Sequence, residues 1–248
     1  MDTHAYLRRI GYEGNTAPTA STLHGLHRAH LRTVPFENLD IARGRPIVLD
    51  EEALFEKIVE QRRGGFCDAL NGLFGALLRA LGFDVQRLSA RVVRPDGTYG
   101  IEFDHMTLLV ELGERWLVDV GFGDSFETPL RLDERSLQAQ RAGVYRIDDS
   151  GDRLTCLRLE NGMWKPQYVF SLHPYNLADF AAGCHYHQTS PTSTFTQRRV
   201  CTRATADGRI TLSDMKLIVT ANGTREEHLL RSEREYHLAL WEHFGIRL

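Results

Sequence analysis

The apolar residues of this chain change their spacing close to residue 84, and a change of that kind separates a helical segment from a sheet. Ahead of it, Leu23, Leu26, His30 and Leu31 fall at helical intervals over Ser21 to Leu31. A second helix is predicted from Asp50, an apt N-cap before Glu51 and Glu52, with Leu54, Phe55, Ile58 and Val59 on one face and Gly64 as its stop. A third runs from about Cys67 to Leu81, where Leu70, Phe74, Leu77, Leu78 and Leu81 form a core-facing stripe and Gly82 terminates it.

Beyond residue 84 the pattern becomes alternation with β-branched residues, in Val85 to Val93, Met106 to Leu112, Trp116 to Val120, Val144 to Ile147, Leu154 to Leu159 and Tyr168 to Leu172. The connections carry turn chemistry, such as Pro95-Asp96-Gly97 and Asp149-Ser150-Gly151-Asp152, as an antiparallel meander or small barrel needs. After Pro191 a hairpin around Asp207-Gly208 precedes an amphipathic helix with Tyr236, Leu240, Trp241 and Phe244. The expected class is therefore α+β, in three lobes packed as one unit: residues 1–83, 84–190 and 191–248. Ligand clefts often lie between such lobes.

Composition narrows the function. Over 248 residues the hydrophobic fraction is 42% and the charged fraction 25%, as in ordinary globular proteins. The net charge of -3, from 30 basic and 33 acidic residues, provides no basic field for nucleic acid or an anionic membrane. The N-terminus lacks the character of a signal peptide and no apolar run reaches the ~20 residues of a membrane span, so a cytoplasmic location is expected. Cys67, Cys156, Cys184 and Cys201 show no paired spacing and are expected as free thiols. Asn222-Gly223-Thr224 reads as a turn before a charged segment. No metal site is expected: His24, His27 and His30 are three apart rather than four and read as partly exposed helix surface, and Cys184-His185-Tyr186-His187 has no second ligand pair. Gly64-Gly65 and Gly121-Phe122-Gly123 lack the spacing and lysine of a phosphate loop.

The chemistry concentrates in Arg63-Gly64-Gly65-Phe66-Cys67-Asp68-Ala69-Leu70-Asn71, where a helix ends, two glycines permit a reversal and a new helix begins beside a cysteine. Free N–H groups and the positive end of the helix dipole favour a thiolate there. Position alone does not separate a nucleophile from a small buried hydrophobe. His105 opens a strand and Asp119 lies inside an apolar one, where a carboxylate needs a partner. An imidazole oriented by Asp119 and acting on Cys67 would complete a nucleophile, base and orienter. A three-residue loop at Gly113 to Arg115 would put His105 and Asp119 on one face but about four residues out of register, so a bulge, or a bend at Phe103-Asp104, would have to bring them together.

These segments resemble the arylamine N-acetyltransferase family. The run Arg63 through Asn71 is similar to its cysteine motif. Val34-Pro35-Phe36-Glu37-Asn38-Leu39, His105 with its strand, Asp119 through Gly123, His185-Tyr186 with Thr189-Ser190-Pro191, and His243 through Ile246 resemble its other landmarks in the same order. The resemblance implies a helical bundle, an antiparallel β-barrel and an α/β lid, with a Cys-His-Asp triad of the papain and transglutaminase type formed by Cys67, His105 and Asp119. It implies ping-pong acetyl transfer from acetyl-CoA, through a Cys67 thioester, to an arylamine, hydrazine or N-hydroxyarylamine, with no tightly bound cofactor. The protein would act as a monomer or homodimer. Phe36, Phe103, Asp104, Phe122 and Gly123 would contribute to substrate binding, Glu37 and Arg63 would tie the N-terminal segment to the cysteine loop, and Asn71 would support the site. An amide synthase closing a polyketide macrolactam, or a thiol hydrolase, would share these features.

Two departures are visible. Asp68 and Ala69 stand where relatives commonly carry a larger apolar residue and then Glu or Gln, so Asp68 would raise the Cys67 pKa unless it points to solvent or finds a cation. Some relatives continue beyond the equivalent of Ile246 with a tail over the cleft, and a more open cleft is expected here.

Overall fold

The computed structural model describes residues 1–248. In chain order the elements are α1 (Thr3–Ile10), α2 (Ala20–Thr33), β1 (Phe36–Glu37), α3 (Leu39–Ala42), α4 (Glu51–Phe55), α5 (Cys67–Ala80), β2 (Asp84–Val92), β3 (His105–Glu111), β4 (Arg115–Val118) and β5 (Leu130–Arg131). They continue with β6 (Gln138–Gln140), β7 (Gly143–Asp149), β8 (Leu154–Glu160), β9 (Met163–Tyr175), α6 (Ala181–Thr189), α7 (Thr194–Gln197), β10 (Val200–Ala204), β11 (Gly208–Ser213), β12 (Lys216–Ala221), β13 (Thr224–Leu229) and α8 (Glu233–Phe244). No helix is long and apolar enough to cross a membrane.

The change of periodicity near residue 84 is the junction between α5 and β2. Asp50 caps α4 by accepting from the N–H groups of Glu52 and Ala53. The helix continues as a π turn over Glu56–Glu60 and stops before Gly64, because Arg62 adopts a left-handed φ of 54°. Gly64 serves a different purpose. A Cβ there would lie 1.9 Å from the Pro35 carbonyl oxygen, so only glycine lets the cysteine loop lie against β1.

Eight strands form a nearly closed antiparallel barrel in the order β5-β4-β3-β2-β9-β8-β7-β6. No backbone ladder joins β5 to β6. Side chains close that seam: Gln138 accepts from Arg131 N at 2.8 Å and donates to Arg131 O at 3.0 Å. Gln140 accepts from Glu127 N and Thr128 N, both at 3.0 Å, and donates to Thr128 O at 2.7 Å.

Alternation along β3 and β4 divides the core. Met106, Leu108, Val110, Trp116 and Val118 pack against α1, α2, α4 and α5, while Leu109 and Leu117 face the barrel interior with Phe126, Tyr145, Tyr168 and Phe170. Each such fully buried side chain contributes about 1.5–3 kcal/mol.

A second, five-stranded sheet runs β1-β10-β11-β12-β13. Its first strand comes from the helical segment, Phe36 opposing Thr202 and Glu37 opposing Cys201, so the C-terminal sheet is tied to the segment preceding the cysteine. The turn at Asn222-Gly223 joins β12 to β13, an edge strand that the sequence reading did not anticipate. On α8, Tyr236, Leu240 and Phe244 are buried but Trp241 is 47% exposed, so Trp241 lies off the apolar face assigned to it.

Candidate active site

The cysteine loop is anchored before it reaches the sulfur. Arg63 donates to Glu37 Oε1 at 2.9 Å and to Asp40 Oδ1 at 3.1 Å, and Lys57 pairs with Asp40 Oδ2 at 2.7 Å. Two cations against two carboxylates leave this buried cluster neutral, which is the condition for tolerating it. Glu37 N also donates to Gly65 O at 2.9 Å. Thus fixed, the chain turns at Phe66, and Cys67 becomes the first residue of α5, almost fully buried. Its thiol donates to Asp104 O at 3.7 Å.

His105 Nε2 lies 2.6 Å from Asp119 Oδ2. The other oxygen, Oδ1, accepts from Asn71 Nδ2 at 2.8 Å and from Gly121 N at 2.9 Å. Burial pushes the Asp119 carboxyl up, but His105 and these donors outweigh it and hold it below the usual range. Burial likewise works against a charged His105, and Asp119 outweighs it, leaving the ring with a raised pKa. Since Nε2 donates to Asp119, Nδ1 is the ring nitrogen left outside that contact.

The expected four-residue offset between His105 and Asp119 is corrected by the register. Glu111 opposes Arg115 and Leu108 opposes Val118, so continuing the pairing sets Thr107 opposite Asp119, and His105 is only two residues along the same face. That is a diagonal neighbour within side-chain reach. No bulge between β3 and β4 is needed, although Phe103 does turn with φ 57° just ahead of His105.

Asn71 does more than support. One turn into α5 it binds Asp119 Oδ1, donates to Met106 O at 2.6 Å and accepts from Val120 N at 2.9 Å, linking the cysteine helix to both strands. Gly121 is obligatory beside it, since a Cβ there would come 2.7 Å from both Asn71 Nδ2 and Cys67 O.

His27 and His30 are fully buried, correcting the reading of these histidines as partly exposed. His27 stacks on Phe126 and lies 2.9 Å from Glu127 O through Nδ1 and 3.0 Å from Asp119 O through Nε2. A neutral ring has one N–H. Donation from Nδ1 to Glu127 leaves Nε2 to accept from Asp119 N, 3.3 Å away. Burial lowers the His27 pKa to about 4, consistent with a neutral ring.

A cavity of about 460 Å³ opens onto Cys67 and His105. Phe36, Asp104, Phe122 and Gly123 line it. Phe103 does not: it packs against Tyr175 and Phe180 at the edge of the core, which corrects its assignment to substrate binding. The wall that sequence reasoning missed comes from residues 186–198, with Tyr186, His187, Phe195 and Arg198. His187 lies 2.9 Å from Asp104 O, the carbonyl that also meets the Cys67 thiol. The only signal for this wall was the His185-Tyr186 and Pro191 landmark. No group of three or more potential metal-binding side chains gathers anywhere in the chain.

Asp68 neither points to solvent nor forms an ion pair. It is fully buried, and neither carboxyl oxygen has a hydrogen-bond partner of normal geometry. Burial pushes its pKa up to about 7, against the pull of nearby His105. Burial first, then the carboxyls of Asp68 and Asp104, raise the Cys67 thiol well above its ordinary value, and the helix-start N–H offsets only part of this.

Residues 19–248 match the profile of the N-acetyltransferase family. The arylamine N-acetyltransferase of Mycolicibacterium smegmatis is 39% identical over 100% of this chain and 93% of its own length. The chain belongs to the arylamine N-acetyltransferase family. It is an acyltransferase, and solved structures of the family superpose closely. The arylamine N-acetyltransferase of Salmonella typhimurium has a TM-score of 0.94 at 33% identity, covering 98% of this chain and 90% of that one. The Mycobacterium marinum enzyme in complex with CoA has a TM-score of 0.92 at 36% identity, covering 99% and 93%.

Proposed function

We propose that this family member moves acetyl from acetyl-CoA to arylamines, hydrazines or N-hydroxyarylamines through a thioester on Cys67. The observation that carries the proposal is the His105–Asp119 contact of 2.6 Å at the wall of the cavity that also contains Cys67. A M. marinum relative has been solved with CoA, and a S. typhimurium relative 36% identical over 85% of this chain is named an arylamine N-acetyltransferase / N-hydroxyarylamine O-acetyltransferase. In this mechanism His105 takes the thiol proton as sulfur attacks the acetyl carbonyl; the C–S bond to coenzyme A breaks and the departing thiolate takes the proton. The amine then attacks the new thioester, His105 accepts its proton, and sulfur leaves as the amide forms. Asp119 fixes the ring and stabilises its charged form. Phe36 and Phe122 give the cavity aromatic walls suited to a flat acceptor.

The same reading divides the chain into a helical lobe (1–83) bearing the nucleophile, a barrel (84–190) bearing His105 and Asp119, and a lid (191–248). It places the enzyme in the cytoplasm as a monomer or homodimer without a tightly bound cofactor. Intact-mass analysis after mixing with acetyl-CoA tests it. One acetyl adduct is expected on the wild type and none on Cys67→Ala; no adduct on the wild type, or an equal one on the variant, refutes the mechanism. An adduct that water releases but arylamines do not would identify a hydrolase instead.

A further inference from the structure

Asp68 is the second residue of α5, one position from the sulfur, and the triad leaves it unused. It is fully enclosed and its two oxygens find no partner of normal geometry, whereas a buried carboxyl ordinarily secures one. The polar groups facing it are few. Its own helix presents the Cys67 thiol; the start of β3 presents His105, Asp104 and the Met106 N–H. From α6, Cys184 also feels its charge, but that thiol points to Ile47 O. Lys57, in the π turn, reaches the Cys184 side but is held by Asp40. His105 is committed through Nε2 to Asp119. That leaves two donors beside the Asp68 carboxylate: the Met106 N–H, and the Cys67 S–H, which points to Asp104 O in this structure.

We propose that Asp68 is a positioning residue whose enclosed, unpartnered carboxylate keeps the neighbouring Cys67 sulfur a neutral thiol. The inference rests on Cys67 being the acyl carrier. With Asp68 ionised, breaking the S–H bond would set thiolate against carboxylate in an enclosed, low-dielectric space, so the proton stays on sulfur. With Asp68 protonated, the same S–H proton passes to His105 Nδ1 and an ion pair of sulfur and imidazolium forms beside a neutral acid. Relatives with an apolar residue at this position would lack such a brake. A carboxyl with a pKa of about 7 makes the change within the range of ordinary buffers.

The test is the pH dependence of Cys67 alkylation by iodoacetamide, read by mass on wild type, Asp68→Asn and Asp68→Glu, with Cys67→Ala as blank. Asp68→Asn should move the midpoint down by about one pH unit or more and speed alkylation near neutrality about tenfold. Asp68→Glu should stay close to wild type. Coincident midpoints for wild type and Asp68→Asn overturn the proposal. Wild type provides an independent measurement, immune to any folding defect of a variant: infrared difference spectra across pH 7 should show a protonated carboxyl band lost as pH rises, and shifted once Cys67 is alkylated. Absence of either change also overturns it. Acetylation by acetyl-CoA is scored separately, so failure of the acyl-carrier reading is distinguishable from failure of this one.

Discussion

Asp119 and Asp68 are buried carboxyls beside the same cysteine helix, and their surroundings are opposite. Around Asp119, at the end of β4, three donors converge from β3, α5 and the following turn. Around Asp68, in the first turn of α5, none does. The first environment lowers the carboxyl pKa despite burial and the second raises it. Burial therefore does not decide whether a carboxylate is ionised; the donors supplied alongside it do. Under the proposed mechanism, this unequal supply of hydrogen bonds would give the site one fixed charge and one adjustable proton.

Removing the charge from the satisfied side should have the largest effect. Asp119→Asn preserves shape but permits the wrong His105 tautomer and withdraws the stabilising charge, so kcat/KM in acetyl-CoA-dependent turnover should fall by about 10⁴ with little change in fold. A loss smaller than tenfold would mean that His105 needs no orienter.

On the unsatisfied side the expected effect is on stability and has the opposite sign. A folded-state pKa of about 7 against an ordinary carboxyl value of 3.8 means that the native protein binds more protons than the unfolded chain within that window. Stability should consequently fall as pH rises from 3.8 to 7 and level off above it. Asp68→Asn should remove this trend, with a gain over wild type that grows to roughly 4 kcal/mol near pH 8, measured by urea midpoints at several pH values. Asp119 contributes in the reverse direction: its lowered pKa gives stability that is present above the unfolded value and lost in acid. Parallel pH profiles for wild type and Asp68→Asn would erase the contrast.

The smallest effect should come from loosening the satisfied side by one donor. Asn71→Ala leaves Asp119 Oδ1 with Gly121 N alone and frees Val120 N and Met106 O, so kcat should drop about 10–100-fold and stability by about 1–3 kcal/mol. An increase in KM with kcat unchanged would place Asn71 in substrate binding instead.

Much of this arrangement was legible in the sequence because it is local. A helix starting at Cys67 follows from the spacing of Leu70, Phe74 and Leu77 after a pair of glycines, and the strands bearing His105 and Asp119 follow from alternation. What escaped depends on contacts between distant segments. One residue in the β3–β4 turn converts an apparent four-residue gap into a diagonal contact, and turn geometry at Gly113 does not declare itself in residue types. The histidines of α2 read as surface because they are interspersed with its apolar residues, yet Phe126 and the Glu127 and Asp119 backbone cover His27, and Tyr6 and Phe74 cover His30. Phe103 and Phe122 are the same residue type near the same site; only their backbones decide that one faces the core and the other the cavity. Asp68 was visible as an anomaly, but that its carboxyl has no partner is a property of the packing.

The side-chain seam of the barrel has a consequence for where disturbance can travel. Gln140 holds the amide of Glu127; the carbonyl of that same residue holds one nitrogen of His27, whose other nitrogen holds the backbone of Asp119. Three hydrogen bonds thus couple the one joint of the barrel that lacks a backbone ladder to the residue that contacts the imidazole. A slip at that joint would reach the cavity as a change in the angle of an acid, while the sulfur, on a loop that Arg63 anchors separately to Glu37 and Asp40, stayed where it was.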